Sequence, residues 1–179
     1  MLTKQEIQDI IHRTICDIWK TDISQDYNSG YLLKEDTLKN SFYHYLRMRL
    51  EHLFLKNNIR VFTEFTDGVF SGSRLRPDMV ITYIDNSKEN PYDLLCVIEF
   101  KYKKGFTTSK TIYHDYDKLR GYVENLHITC PLYMATIWEY EDEPTSWQNN
   151  NKYKITELNA SYKPNSKEIQ FYIVPQQNF

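Results

Sequence analysis

The chain has 179 residues, 41% of them hydrophobic and 26% charged, with a formal net charge of −2. That length suits one domain with a hydrophobic core, and the composition is that of an ordinary globular chain. No apolar run approaches the roughly 20 residues a membrane-crossing helix needs, and the mild acidity argues against a passive coat for nucleic acid.

The first ten residues, MLTKQEIQDI, mix charged and polar groups from the start, so no signal peptide is expected. Cys16, Cys96 and Cys130 are widely spaced and form no CxxC pair. Free thiols in a reducing compartment, the cytoplasm, suit them better than disulfides or zinc. His12, His44, His52, His114 and His127 have no metal-ligand spacing either.

In chain order, Thr3 and Glu6 form a capping-box pattern that opens a helix. Ile7, Ile10, Ile11, Ile15, Ile18 and Trp19 then recur at helical spacing to about residue 20. Residues 21–31 are polar, contain Asn28-Ser29-Gly30, and read as a loop. A second helix is predicted from near Lys34 to Lys56, with Leu38, Phe42, Tyr45, Leu46, Leu50 and Leu53 on its apolar side. Strands follow at 60–65 (RVFTEF), 79–84 (MVITYI) and 94–100 (LLCVIEF), separated by the turn-forming residues Asp67-Gly68 and Ser71-Gly72-Ser73 and by the polar loop 85–91. The third is the most apolar run of the chain, as a strand buried on both faces requires. A helix over 111–126, a strand over 132–138 and a last strand over 168–174 complete the order, with the acidic loop 139–144 and the polar run 148–151 in between. There is no repeat and no linker. The pattern describes one α/β domain around a mixed central β-sheet flanked by helices, with residues 1–30 and 152–179 as N- and C-terminal additions to a core at 35–139.

Chemistry gathers at the end of the apolar third strand. Glu99 and Lys101 stand two residues apart and so share a face of it. Ionised groups there are costly unless paired, solvated or bound to a metal. Asp78 opens the preceding strand, and an antiparallel pairing would set it beside Glu99. Two carboxylates and a backbone carbonyl are hard oxygen ligands of the kind Mg²⁺ takes. A lysine alongside them suits phosphate, and burial readily shifts its pKa.

Pro77-Asp78, twenty intervening residues, then Glu99-Phe100-Lys101 resembles the PD-(D/E)xK nuclease superfamily, over about residues 35–139. The resemblance implies a restriction-endonuclease-like fold with the motif on the second and third core strands. It implies Mg²⁺ or Mn²⁺ held by Asp78, Glu99 and the Phe100 carbonyl, with Lys101 assisting the attacking water. The substrate it implies is nucleic acid, DNA before RNA. The family's frequent helical acid matches Glu35, which shares the stripe of Leu38 and Phe42; the plainer reading is an acid complementing the helix dipole. Glu64 is a further candidate metal ligand or a solvent-facing strand residue. On the helix after the motif the resemblance singles out Lys118, loosely.

Six cationic residues between positions 101 and 120 face only Asp115 and Asp117, a local excess of four. Lys103, Lys104 and Lys118 among them, with Arg74 and Arg76 before Asp78, are candidate contacts for substrate phosphates, or else solvated charges. Tyr102 is the one aromatic residue positioned for substrate contact. The Ile-rich first helix either supports a homodimer or packs on its own core. Two alternatives stand beside the nuclease: a structural ion pair joining Lys101 to Glu99 or Asp78, and a catalytically silent nuclease-fold binding module or subunit of a defence or recombination complex.

Overall fold

The computed structural model describes residues 2–104, 110–139, 153, 155–162, 166 and 168–174. The predicted loop residues Gly105, Thr107, Thr108 and Ser109, the acidic run after Glu139 and the polar run 148–151 lie outside them, as does the side chain of Lys110.

Helix α1 spans Lys4–Ile18 and opens as predicted. The Thr3 hydroxyl accepts from the Glu6 N–H at 3.2 Å, and the Glu6 carboxylate accepts from the Thr3 N–H at 2.7 Å. Its Ile7, Ile11, Ile15 and Ile18 are buried against the chain's own core. That Ile-rich face is therefore no dimer surface.

The loop expected at 21–31 is instead mostly helical: a π-helical turn, Trp19–Ile23, runs into the short helix α2, Ser24–Asn28. The apolar stripe explains it, since the wide turn lets both Trp19 and Ile23 bury. Trp19 also donates its indole N–H to the Asn159 carbonyl at 3.1 Å. The chain escapes at Gly30, whose φ of +76° suits glycine. Helix α3, Glu35–Lys56, follows, and buries Leu38, Phe42, Leu46, Leu50 and Phe54 at a four-residue spacing.

The strands are β1 (Ile59–Thr63), β2 (Met79–Ile84), β3 (Tyr92–Lys103), β4 (Leu132–Trp138), β5 (Ile155–Tyr162) and β6 (Ile169–Val174), and helix α4 covers Lys110–Glu124. They form one sheet in sequence order. β1, β2 and β3 pair antiparallel, β3, β4 and β5 pair parallel, and β6 returns antiparallel. A parallel step needs a crossover, which α4 supplies between β3 and β4. β5 was not predicted, because ITELNASY carries Glu157, Asn159 and Ser161 where an apolar face is expected; Glu157 and Asn159 are nevertheless buried. The protein is thus α/β, a six-stranded mixed sheet with α1 and α3 on one face and α4 on the other. Among the described residues no helix is long and apolar enough to cross a membrane.

Candidate functional site

Alternation along β3 sends Ile98, Phe100 and Tyr102 into the α3 layer, while Val97 joins the α4 layer. Glu99 and Lys101 share the side of Val97. The β2–β3 register ends at Met79 opposite Ile98, so Asp78, one residue before Met79, lies beside Glu99. A hydrogen bond fixes this neighbourhood: the Phe100 N–H donates to Asp78 Oδ2 at 2.8 Å. The N–H and C=O of one strand residue point to the same edge, so the Phe100 carbonyl also faces Asp78, past the start of β2.

Each motif side chain meets helix residues. Glu99 is only 1% exposed; its Oε1 accepts from the Tyr122 hydroxyl at 2.5 Å and its Oε2 pairs with Lys118 Nζ at 2.6 Å. Burial, with the neighbouring charge of Asp78, pushes the Glu99 carboxyl well above the ordinary range, and Lys118 and Tyr122 oppose this only in part. Lys101 Nζ sits 2.7 Å from Asp115 and 2.9 Å from Glu35. Its pKa is raised: burial works to lower it, and hydrogen bonds to the two carboxylates outweigh burial. Lys101 is thus held as an ammonium between the two carboxylates. The ion pair anticipated between Lys101 and Glu99 or Asp78 is absent among the described contacts, and other lysines take that part.

Lys39 is one of them, and sequence reasoning missed it. It stands one helical turn after Glu35, touches the Glu64 carboxylate and lies 3.8 Å from Asp78 Oδ1. Burial tends to lower its pKa, but Glu64, Asp78 and Glu35 raise it overall. Glu64 leaves β1 with φ at +52°, a left-handed conformation that is costly for a side-chain-bearing residue. Its N–H donates to the Asp78 carbonyl at 3.0 Å, and its second oxygen meets Arg76 at 2.8 Å. Asp115 and Tyr122 were missed as well. With Lys118 they form an i, i+3, i+7 series on α4, a pattern readable in HDYDKLRGY once that face is known to cover Glu99.

The remaining predicted contacts are dispersed. Arg74 is exposed and Lys103 half-buried. Lys104 reaches Glu139 at 4.0 Å, and Arg120 pairs with Asp117 at 2.9 Å. Among the described residues the locally basic segment forms no continuous basic face: Lys101 and Lys118 point inward to carboxylates. Tyr102 turns to the opposite side of the sheet from Glu99, where its hydroxyl donates to the Leu32 carbonyl at 3.1 Å or to Glu139 at 2.6 Å. It is a packing residue, which the alternation along β3 requires.

Among the described residues, Glu35, Glu64, Asp78, Glu99 and Asp115 meet Lys39, Arg76, Lys101 and Lys118. By formal charge that is five carboxylates to four cations, in a setting that runs from the buried Glu99 to the exposed Glu64 and Arg76. No three His, Cys, Asp or Glu side chains among the described residues converge as a ready metal cage. Two carboxylates and the Phe100 carbonyl are the sparser set that Mg²⁺ accepts while keeping its waters. Comparison with protein-family models, with curated proteins and with solved structures returns no match for this chain.

Proposed function

We propose that this protein is a metal-dependent nuclease of the PD-(D/E)xK type, cutting phosphodiester bonds in nucleic acid, with DNA the first candidate. The observation that carries the reading is the bond from the Phe100 N–H to Asp78 Oδ2 at 2.8 Å. It joins the two separated halves of the sequence pattern into one site, with the Phe100 carbonyl facing the same edge. Support also comes from the order of elements: a helix, three antiparallel strands, a helix and a parallel strand, with Asp78 opening the second strand and Glu99 near the end of the third.

Asp78, Glu99 and the Phe100 carbonyl would hold Mg²⁺ or Mn²⁺, which when bound makes a water more acidic and offsets charge on phosphate oxygens. Lys101, held between Glu35 and Asp115, presents a fixed ammonium to the attacking water or to a phosphate oxygen. Glu35 and Asp115 are positioning residues that keep it protonated and aimed. Tyr122 and Lys118 orient the Glu99 carboxylate in the same way.

Purified protein incubated with plasmid, linear duplex, single-stranded DNA and RNA, with Mg²⁺ or Mn²⁺, is expected to cleave at least one of them. Lys101→Ala should reduce cleavage by about 10²–10³-fold, the usual effect of removing one preorganised donor, and chelation should abolish it. Cleavage that survives both overturns the mechanism.

A second reading, a silent binding module on this fold, is favoured by one observation: Asp78, Glu99 and Lys101 all have oppositely charged neighbours from the helices. Calorimetric titration with Mn²⁺ separates the two. Heat that disappears in Asp78→Ala and Glu99→Ala belongs to the nuclease, and no heat in the wild type belongs to the module.

A further inference from the structure

Lys39 has no counterpart in the sequence pattern that led to the site, yet it is built into it. Its side chain is 12% exposed and lies between two carboxylates, in contact with Glu64 and 3.8 Å from Asp78 Oδ1. The two oxygens of Asp78 face different surroundings. Oδ2 accepts the Phe100 N–H on the side of the motif strand, and Oδ1 lies 3.8 Å from Lys39, whose ammonium also meets Glu64. A centre with two divalent ions holds them roughly 3.5–4 Å apart, so a second ion would draw on the outer oxygen of Asp78 and on Glu64. That is where the ammonium stands.

Several features keep it there. Glu35 and Lys39 lie one turn apart on α3, and Lys39 stands between the buried Leu38 and Phe42, so the helix's own packing sets the lysine stem. Glu64 is held from both sides, by Lys39 and by Arg76, and its backbone is bent into the left-handed region with its N–H on the Asp78 carbonyl. That conformation is one a free strand end would relax. The turn sets one Glu64 oxygen on Lys39 and the other on Arg76, with the carboxylate still partly open to solvent.

We propose that Lys39 is a built-in replacement for a second metal ion, making this a one-metal centre in which the lysine ammonium neutralises the outer side of Asp78. The inference rests on the nuclease reading above. A protonated lysine and a hydrated divalent ion repel each other and cannot share one pair of carboxylates. Removing the ammonium while keeping Glu64 and Asp78 leaves two carboxylates facing a gap, which is the ligand set for an added cation.

The test is a count of bound Mn²⁺ per chain, by electron paramagnetic resonance of free Mn²⁺ and by native mass spectrometry, without substrate. Wild type and Lys39→Arg should bind one ion, Lys39→Met two, and Lys39→Met with Glu64→Gln one again. Thermal melts verify that each variant is folded. Two ions in the wild type, or one in folded Lys39→Met, overturns the role of Lys39 and leaves the nuclease reading intact. No ion in the wild type overturns both. Should Lys39→Met not fold, the wild-type count decides alone, one supporting the inference and two overturning it.

Discussion

The two faces of the sheet are built from the same six strands and do different work. On the α1–α3 side the layer is almost wholly apolar, from Ile7 and Ile11 through Phe42 to Ile98, Phe100 and Ala135. On the α4 side, strand alternation sets Asp78, Glu99 and Lys101 among Val80, Val97 and Met134. Of the six buried polar residues among those described, Thr82, Glu99, Thr136, Glu157 and Asn159 fall on that side and Thr156 on the other. The polar row crosses strands, for Lys101 is paired in register with Thr136, and Thr136 with Asn159. One face supplies stability and lets the other carry groups that oppose it, the usual cost of a functional site.

Three substitutions probe that division. The largest effect is expected from Phe42→Ala on the apolar side. Phe42 is fully buried and meets Phe100 edge-on, with ring centroids 5.3 Å apart. Its truncation should cost about 3–5 kcal/mol in a urea melt; a loss below about 1 kcal/mol breaks the contrast.

On the polar side, Lys118→Met leaves the buried Glu99 carboxylate without its ammonium. At pH 8 the cost should be about 1–3 kcal/mol. Its dependence on pH carries the sharper information. Folded Glu99 holds its proton more tightly than the unfolded chain, whose carboxyl titrates near 4.5. The stability this contributes is therefore present below pH 4.5 and is lost as pH rises through the folded value. Urea melts from pH 5 to 9 in chelator should show the penalty of Lys118→Met growing with pH. A penalty independent of pH would mean that Lys118 matters by packing alone.

The smallest effect belongs to the α1 cap. Thr3→Ala should lower stability by about 1 kcal/mol. The Glu6 carboxyl, held below its ordinary value by the Thr3 backbone and hydroxyl, reverses the sign seen for Glu99. Its contribution is present above pH 4.5 and fades as pH falls through the folded value. A melt of Thr3→Ala that matches the wild type would remove the cap from the apolar side's account.

Much of this was legible before any coordinates. Local patterns marked α1 through Thr3 and Glu6, α3 through its apolar stripe, and β2, β3 and β4 through short β-rich runs. The same alternation put Glu99 and Lys101 on one face. Three things were not legible. Residues 21–28 read as a polar loop until the burial of Ile23 is known, and β5 hides because its buried face carries Glu157 and Asn159. Lys39 and Asp115 have ordinary helical settings with nothing local to mark them as site residues, and Tyr122 reads only as part of the apolar stripe of its helix.

The sequence by itself determined the elements with a clean period, and the shared face of Glu99 and Lys101 toward the end of the most apolar strand, because propensity and periodicity act over a few neighbours. Only the tertiary structure decided which side chains meet those residues. A buried charge must find its partner wherever the fold brings one, and here Lys39 and Lys118 come from helices on opposite faces of the sheet, across long separations in the chain. Lys101, which the pattern sets on the face of Glu99, is held by Glu35 and Asp115, one from each of those helices.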